Sequence, residues 1–131
     1  FNPLYIIDVA TLTGSVGRMF DNLSIAMMGN DKNMLSLFEK TSTDFNERVW
    51  KLPLWGEYNK QLSSKVADLK NSSDKGGQTM VAGSFLSNFI PEDTKWMHLD
   101  IAGVSYFENS AKYNGATGIS IHPIYDFIKR Y

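Results

Sequence analysis

A chain of 131 residues with 43% hydrophobic side chains is long enough for one domain with a real core. Thirteen Lys and Arg against fourteen Asp and Glu leave a net charge of −1, which gives no electrostatic case for nucleic acid or for an acidic membrane surface. The absence of Cys removes disulfides, thiolate metal sites and cysteine nucleophiles together and fits a reducing compartment, and no apolar run approaches the ~20 residues that span a bilayer.

The chain opens on Phe1 and reaches a strand-like segment almost at once, a start that reads as part of a longer protein. Leu4 to Ala10 is a nearly continuous apolar run between Pro3 and a Thr-Leu-Thr-Gly turn, the pattern of a buried parallel or central strand. Leu23 to Met28 is a second strand candidate, ended by Gly29-Asn30-Asp31. Asp31 to Phe45 then carries Met34, Leu35, Leu37, Phe38 and Phe45 on one helical stripe, with Lys32, Glu39 and Lys40 outside it. Val49 to Trp55 is apolar but broken by Pro53, which suits an edge segment or an ordered loop.

Tyr58 to Leu62 reads as a short helix and Val66 to Leu69 as a short strand, followed by a polar Gly/Ser-rich loop from Lys70 to Gly77. Thr79 to Ile90 is a helix, with Val81, Phe85 and Phe89 spaced by four and Pro91 beyond its last turn. Met97 to Ile101 is strand-like and leaves through Gly103. Gly103 to Gly118 reads as loop, and His122 to Tyr131 as a closing helix with Ile124, Phe127, Ile128 and Tyr131 on one face. Strands alternating with helices, without repeats, predict an α/β layer with helices on both faces.

Several chemistries can be weighed residue by residue. Gly14-Ser15-Val16-Gly17 after a strand looks like a phosphate turn, but Leu12 stands where a dinucleotide fingerprint needs Gly, and no Gly-Lys-Ser/Thr triplet occurs. His98 and His122 are the only histidines and share no metal-binding register; His98 reads as a packed strand histidine. Asp8, Asp68 and Asp100 each interrupt an apolar segment. Three carboxylates could converge on a hard cation, but the favoured reading has each one accepting backbone N–H groups or pairing with Lys or Arg. No Gly-x-Ser-x-Gly elbow is present for a serine nucleophile. What remains are two backbone segments, Thr11-Leu12-Thr13-Gly14 and Ala102-Gly103, whose small residues would let a peptide-like ligand lie against exposed C=O and N–H groups.

Those two segments carry a family resemblance. Ala10-Thr11-Leu12-Thr13-Gly14 and His98-Leu99-Asp100-Ile101-Ala102-Gly103 resemble the "ATLTG" and "HLDIAG" runs of the leucyl (cytosol) aminopeptidase family. Trp50-Lys51-Leu52-Pro53-Leu54, Ala67-Asp68-Leu69-Lys70-Asn71, Gly76-Gly77 with Ala82 to Leu86, and Gly115-Ala116-Thr117-Gly118 follow further family motifs in the same order, from about Ile6 to Gly118. The resemblance implies that residues 1–131 are the C-terminal portion of a catalytic domain of the zinc-exopeptidase type, an α/β fold with a mixed sheet and helices on both faces.

It further implies a cytoplasmic two-metal peptidase, using zinc or manganese, that releases N-terminal residues from peptides and assembles as a homo-hexamer. The metal ligands and catalytic residues of the family sit in segments ahead of "ATLTG", including an N-T-D-A-E-G-R motif that this sequence does not contain. No catalytic or metal residue is therefore expected in this chain. By position, Thr11, Leu12, Thr13 and Gly14 would form the wall of the substrate cleft. Ala102 and Ser105 would line the pocket for the first residue of the peptide, and Ser72 would face the second.

Ser72 and Ser105 stand where relatives commonly carry larger apolar residues, and Ile119 to Pro123 departs from the family's continuation after G-A-T-G. The reading of a different class is a non-catalytic binding or scaffold module that keeps the fold and its assembly surfaces.

Overall fold

The computed structural model describes residues 1–108 and 114–131. Four strands form one sheet: β1 (Tyr5–Ala10), β2 (Ile25–Gly29), β3 (Val49–Lys51) and β4 (Lys95–Asp100), in the order β1-β4-β2-β3. β1 runs parallel to β4 with Tyr5 opposite Lys95 and Ala10 opposite Asp100, β2 runs antiparallel to β4, and β3 runs parallel to β2. The sheet is mixed, as the family resemblance implies, whereas alternation of strands and helices alone would suggest a parallel one.

Side-chain alternation sends Met97 and Leu99 to one face and Trp96, His98 and Asp100 to the other. On the first face Ile25, Met27, Met97 and Leu99 pack with Met34, Leu35 and Phe38 of α2 (Lys32–Asp44) and Phe127 of α5 (Ile121–Arg130), all essentially excluded from solvent. Asp31 caps α2 by accepting the Met34 N–H at 2.7 Å. The opposite face carries α1 (Gly14–Phe20), α3 (Gly56–Lys60) and α4 (Gln78–Ser87), where Met28 presses its thioether on Gly83. Helices therefore cover both faces.

Three expectations change. β1 is an edge strand of this sheet, not a central one: Tyr5 and Ile7 pack on the core, but Val9 is 40% exposed, because an apolar run records burial of a face and not the presence of a neighbour on each side. Val66 to Leu69 forms no strand; Val66 is 96% exposed, and the Val66 and Ala67 N–H groups are held by the Ser64 hydroxyl in a local turn. The loop expected over 103–118 contains two short antiparallel strands, β5 (Tyr106–Phe107) and β6 (Gly115–Ala116), while its residues 109–113 lie outside the described residues.

Candidate functional site

β1 and β4 are parallel neighbours, so their carboxyl ends deliver two loops side by side, the position at which open α/β sheets build sites. Ala10 closes the pair by accepting the Ile101 N–H at 2.9 Å. Immediately beyond, the buried carboxylate of Asp100 gathers the turn after β1. Its Oδ1 accepts the Leu12 N–H at 3.0 Å and the Ala102 N–H at 3.2 Å. Its Oδ2 accepts the Thr13 N–H at 3.0 Å and the Thr13 hydroxyl at 2.8 Å. A carboxylate with no solvent contact is costly unless its lone pairs are filled, and these four donors fill them.

Beyond Thr13 lies a small hydroxyl cluster. Thr13 Oγ1 stands 3.0 Å from Thr79 Oγ1, and Ser15 Oγ lies 2.7 Å from Thr79 Oγ1 and 3.2 Å from Thr13 Oγ1. Thr79 is buried on the first turn of α4, so the cluster stitches the turn and α1 to α4.

Above this stitch opens a groove of about 490 Å³. One bank is Leu12, Thr13, Gly14, Ser15 and Arg18; the other is Gln78, Val81, Ala82, Phe85 and Leu86 of α4, with Asn71 and Ser72 of the preceding loop at its margin. Arg18 is the one ionisable side chain among these lining residues. A groove with apolar sides and exposed backbone at the turn is suited to an extended, largely uncharged ligand.

The structure thus brings Leu12, Thr13, Gly14 and Ser72 together around one groove. Thr11 is exposed at the start of the turn. Ala102 sits on the other side of Asp100, tied to it by its N–H, and Ser105 is half-buried in the following turn, its N–H on Ile101 and its C=O accepting from Thr117; neither lines this groove. Sequence reading missed Ser15, Arg18 and the α4 bank. The short α1 has two glycines and one buried side chain, Val16, so it leaves no periodic trace, and Thr79 meets Thr13 across 66 residues.

Two glycines of these segments have different surroundings. Gly14 has no left-handed φ, and a Cβ there would meet nothing within 4 Å, so the backbone does not require glycine; the missing side chain leaves the groove open. Gly103 was expected to keep a pocket open, yet it is filled by backbone: a Cβ would stand 3.1 Å from the Gly17 Cα.

The other two acids have separate fates. Among the described residues Asp8 pairs with neither backbone, Lys nor Arg: its Oδ2 accepts the Trp96 indole N–H at 2.6 Å and its Oδ1 lies 2.5 Å from His98 Nδ1. His98 is a fully buried strand histidine on β4, as expected. Asp68 is exposed on a surface bend. Among the described residues no group of three or more His, Asp or Glu gathers that could hold a metal ion.

A family model described as "Cytosol aminopeptidase family, catalytic domain" matches residues 1–125. A protein of a Geobacter species named "Probable cytosol aminopeptidase" is 38% identical over 99% of this chain and 27% of its own length. Its namesake in Chlorobium luteolum is 36% identical over 100% of this chain and 26% of its own. A mutant form of tomato leucine aminopeptidase superposes with a TM-score of 0.90 at 26% identity, covering 98% of this chain and 25% of that one. The chain spans about a quarter of the length of the relatives it matches.

Proposed function

The chain belongs to the cytosol aminopeptidase family, and on that premise we propose that it forms one wall of the peptide cleft of an enzyme that releases N-terminal residues from peptides. The observation that carries this reading is the Asp100-pinned turn: Leu12, Thr13 and Gly14 are held as a rigid bank of a groove whose other bank is apolar. A rigid backbone edge facing apolar surface is what an extended peptide needs to be oriented for cleavage. In this reading Thr11 to Gly14 line the cleft, Ser72 meets the second residue of the peptide, and Ala102 and Ser105 belong to the pocket of the first.

The family's chemistry calls for divalent metal, zinc or manganese in the reading from sequence. The acids of this chain do not fit such a site. A divalent ion needs several free donors converging on one point. Asp100 is saturated by four donors, each Asp8 oxygen is engaged by Trp96 or His98, and Asp68 lies out in solvent. No step at the scissile bond is therefore assigned to this chain; its residues bind and orient. The ligands belong, on this view, to other segments of the enzyme.

Assembly into a homo-oligomer, with the hexamer as the expected form, is supported by α5, where Ile121, Tyr125 and Ile128 form an apolar stripe that is 63, 61 and 55% exposed. Cytoplasmic location agrees with the relatives' names, and among the described residues no helix is long and apolar enough to cross a membrane.

The test is hydrolysis of leucine-p-nitroanilide by the purified full-length protein with added Mn²⁺ or Zn²⁺. The expected result is turnover that EDTA abolishes, with none from the 131-residue chain alone. A full-length protein that folds and binds metal but never turns over would favour the scaffold reading.

A further inference from the structure

The hydroxyl cluster under the groove has a direction. The four contacts of Asp100 are all donors, so the carboxylate is purely an acceptor and the Thr13 hydroxyl proton must point to it. A hydroxyl has one proton. Thr13 Oγ1 can then only accept from its other two neighbours, Thr79 and Ser15.

Thr79 and Ser15 have two protons for the three remaining contacts, and two arrangements fill two of them while keeping the shortest. In one, Thr79 donates to Thr13 and Ser15 donates to Thr79 over 2.7 Å. In the other, Ser15 donates to Thr13 over 3.2 Å and accepts from Thr79. Both spend the Ser15 proton inside the cluster. Ser15 Oγ, half-buried in the groove wall, is left with a lone pair for whatever occupies the groove. The buried charge of Asp100, three hydroxyls away, thus fixes what the groove surface offers.

We infer that Ser15 is a specificity-determining residue, a hydrogen-bond acceptor that selects an N–H donor on the bound peptide. The inference rests on the peptide-cleft reading and deepens it. An uncharged donor is favoured over an ammonium, because the groove lining contains no acid and carries Arg18 on the same helix. The groove includes Ser72, placed at the second residue of the peptide, and excludes Ala102 and Ser105, placed at the first. The scissile N–H lies between those two positions, at the junction with the first-residue pocket that the groove excludes, so the donor assigned to Ser15 is the next one along, the N–H of the second peptide bond.

Two substrates separate this from a general packing role: Leu-Leu-Leu, and its analogue in which the second peptide N–H is replaced by an ester oxygen. Both keep the scissile amide, and release of the N-terminal leucine by the purified full-length protein is measured for each. The parent is expected to prefer the all-amide peptide, and Ser15→Ala to lower that preference about three- to tenfold, through KM, by the loss of one neutral hydrogen bond. Ser15→Thr, which keeps the acceptor, should retain it. A residue acting only through packing would change both substrates alike. The same amide-to-ester ratio in parent and Ser15→Ala, with leucine still released, overturns the inference while leaving the aminopeptidase reading intact. No metal-dependent release of leucine from either substrate by the parent overturns that reading and this inference together.

Discussion

Asp100 and Thr13 are 87 residues apart, and a single oxygen joins them: Asp100 Oδ2 accepts both the backbone N–H and the hydroxyl of Thr13, at 3.0 and 2.8 Å. This double contact fixes the exit of β1 as a groove bank, and it is where sheet packing meets the proposed peptide cleft.

Removing the carboxylate should cost both. Asp100→Ala leaves the Leu12, Thr13 and Ala102 N–H groups without their acceptor around a carboxylate position that is itself fully buried. A loss of about 3 kcal/mol or more is expected, because hydrogen bonds to charge are strong and orphaned donors are expensive. Thr13→Val removes one hydroxyl and should cost about 1–2 kcal/mol. Urea unfolding measures both; a cost below about 0.5 kcal/mol for Asp100→Ala would mean that the turn does not depend on it.

The pair Gly17 and Gly103 should respond in opposite senses to the same added methyl group. At Gly103 a Cβ would lie 3.1 Å from the Gly17 Cα, backbone against backbone, so Gly103→Ala should destabilise by about 1–3 kcal/mol. At Gly17 it would lie an ordinary 3.8 Å from the Gly103 Cα, and inside α1 alanine is the better helix former. Gly17→Ala should then be neutral or stabilise by up to about 1 kcal/mol. Equal losses in both variants would contradict this packing.

Glu47 supplies a pH dependence. Its Oε2 accepts the Ser120 N–H at 2.7 Å and ties the start of α5 to the turn after α2. Burial pushes its carboxyl above the ordinary value of 4.5, and the Ser120 N–H and nearby His122 pull only partly against this. The folded chain therefore holds this proton more tightly than the unfolded one. The group's contribution to stability is full below the ordinary carboxylate range and is lost as pH rises through the raised folded value. Glu47→Gln cannot ionise, so its Tm relative to the parent should climb between about pH 4 and about pH 7. A relative Tm that falls over that range would show the charged form to be the favoured one.

Much of the scaffold is legible in the sequence, and much of the site is not. α2 shows in the stripe of Met34, Leu35 and Phe38, and β4 in the run that becomes wholly buried from Trp96 to Asp100. Periodicity reports faces, so it captures these elements. It is blind to neighbours, which is why β1 reads as central while lying at the sheet edge. The motif around Thr11 to Gly14 marks a turn that lines a groove, but the groove is finished by Val81, Phe85 and Leu86 from a helix far along the chain. The direction of the hydroxyl cluster requires distances between Thr13, Ser15 and Thr79 that no local pattern encodes.

The most direct measurement of the cleft-wall reading is kcat/KM for Leu-Leu-Leu on the full-length protein and on its Gly14→Val variant, with Tm and metal content determined for both. A Cβ at Gly14 meets nothing within 4 Å and the backbone has no left-handed φ, and valine is no poorer a helix former than glycine, so the fold should keep its stability. The added isopropyl group projects into the groove that the peptide must occupy, and misplacing a substrate there should cost about 100-fold or more in kcat/KM. Metal-dependent leucine release in the parent, lost in a variant with parental Tm and metal content, is the expected result. Equal kcat/KM in the two proteins would show that no peptide lies against this turn.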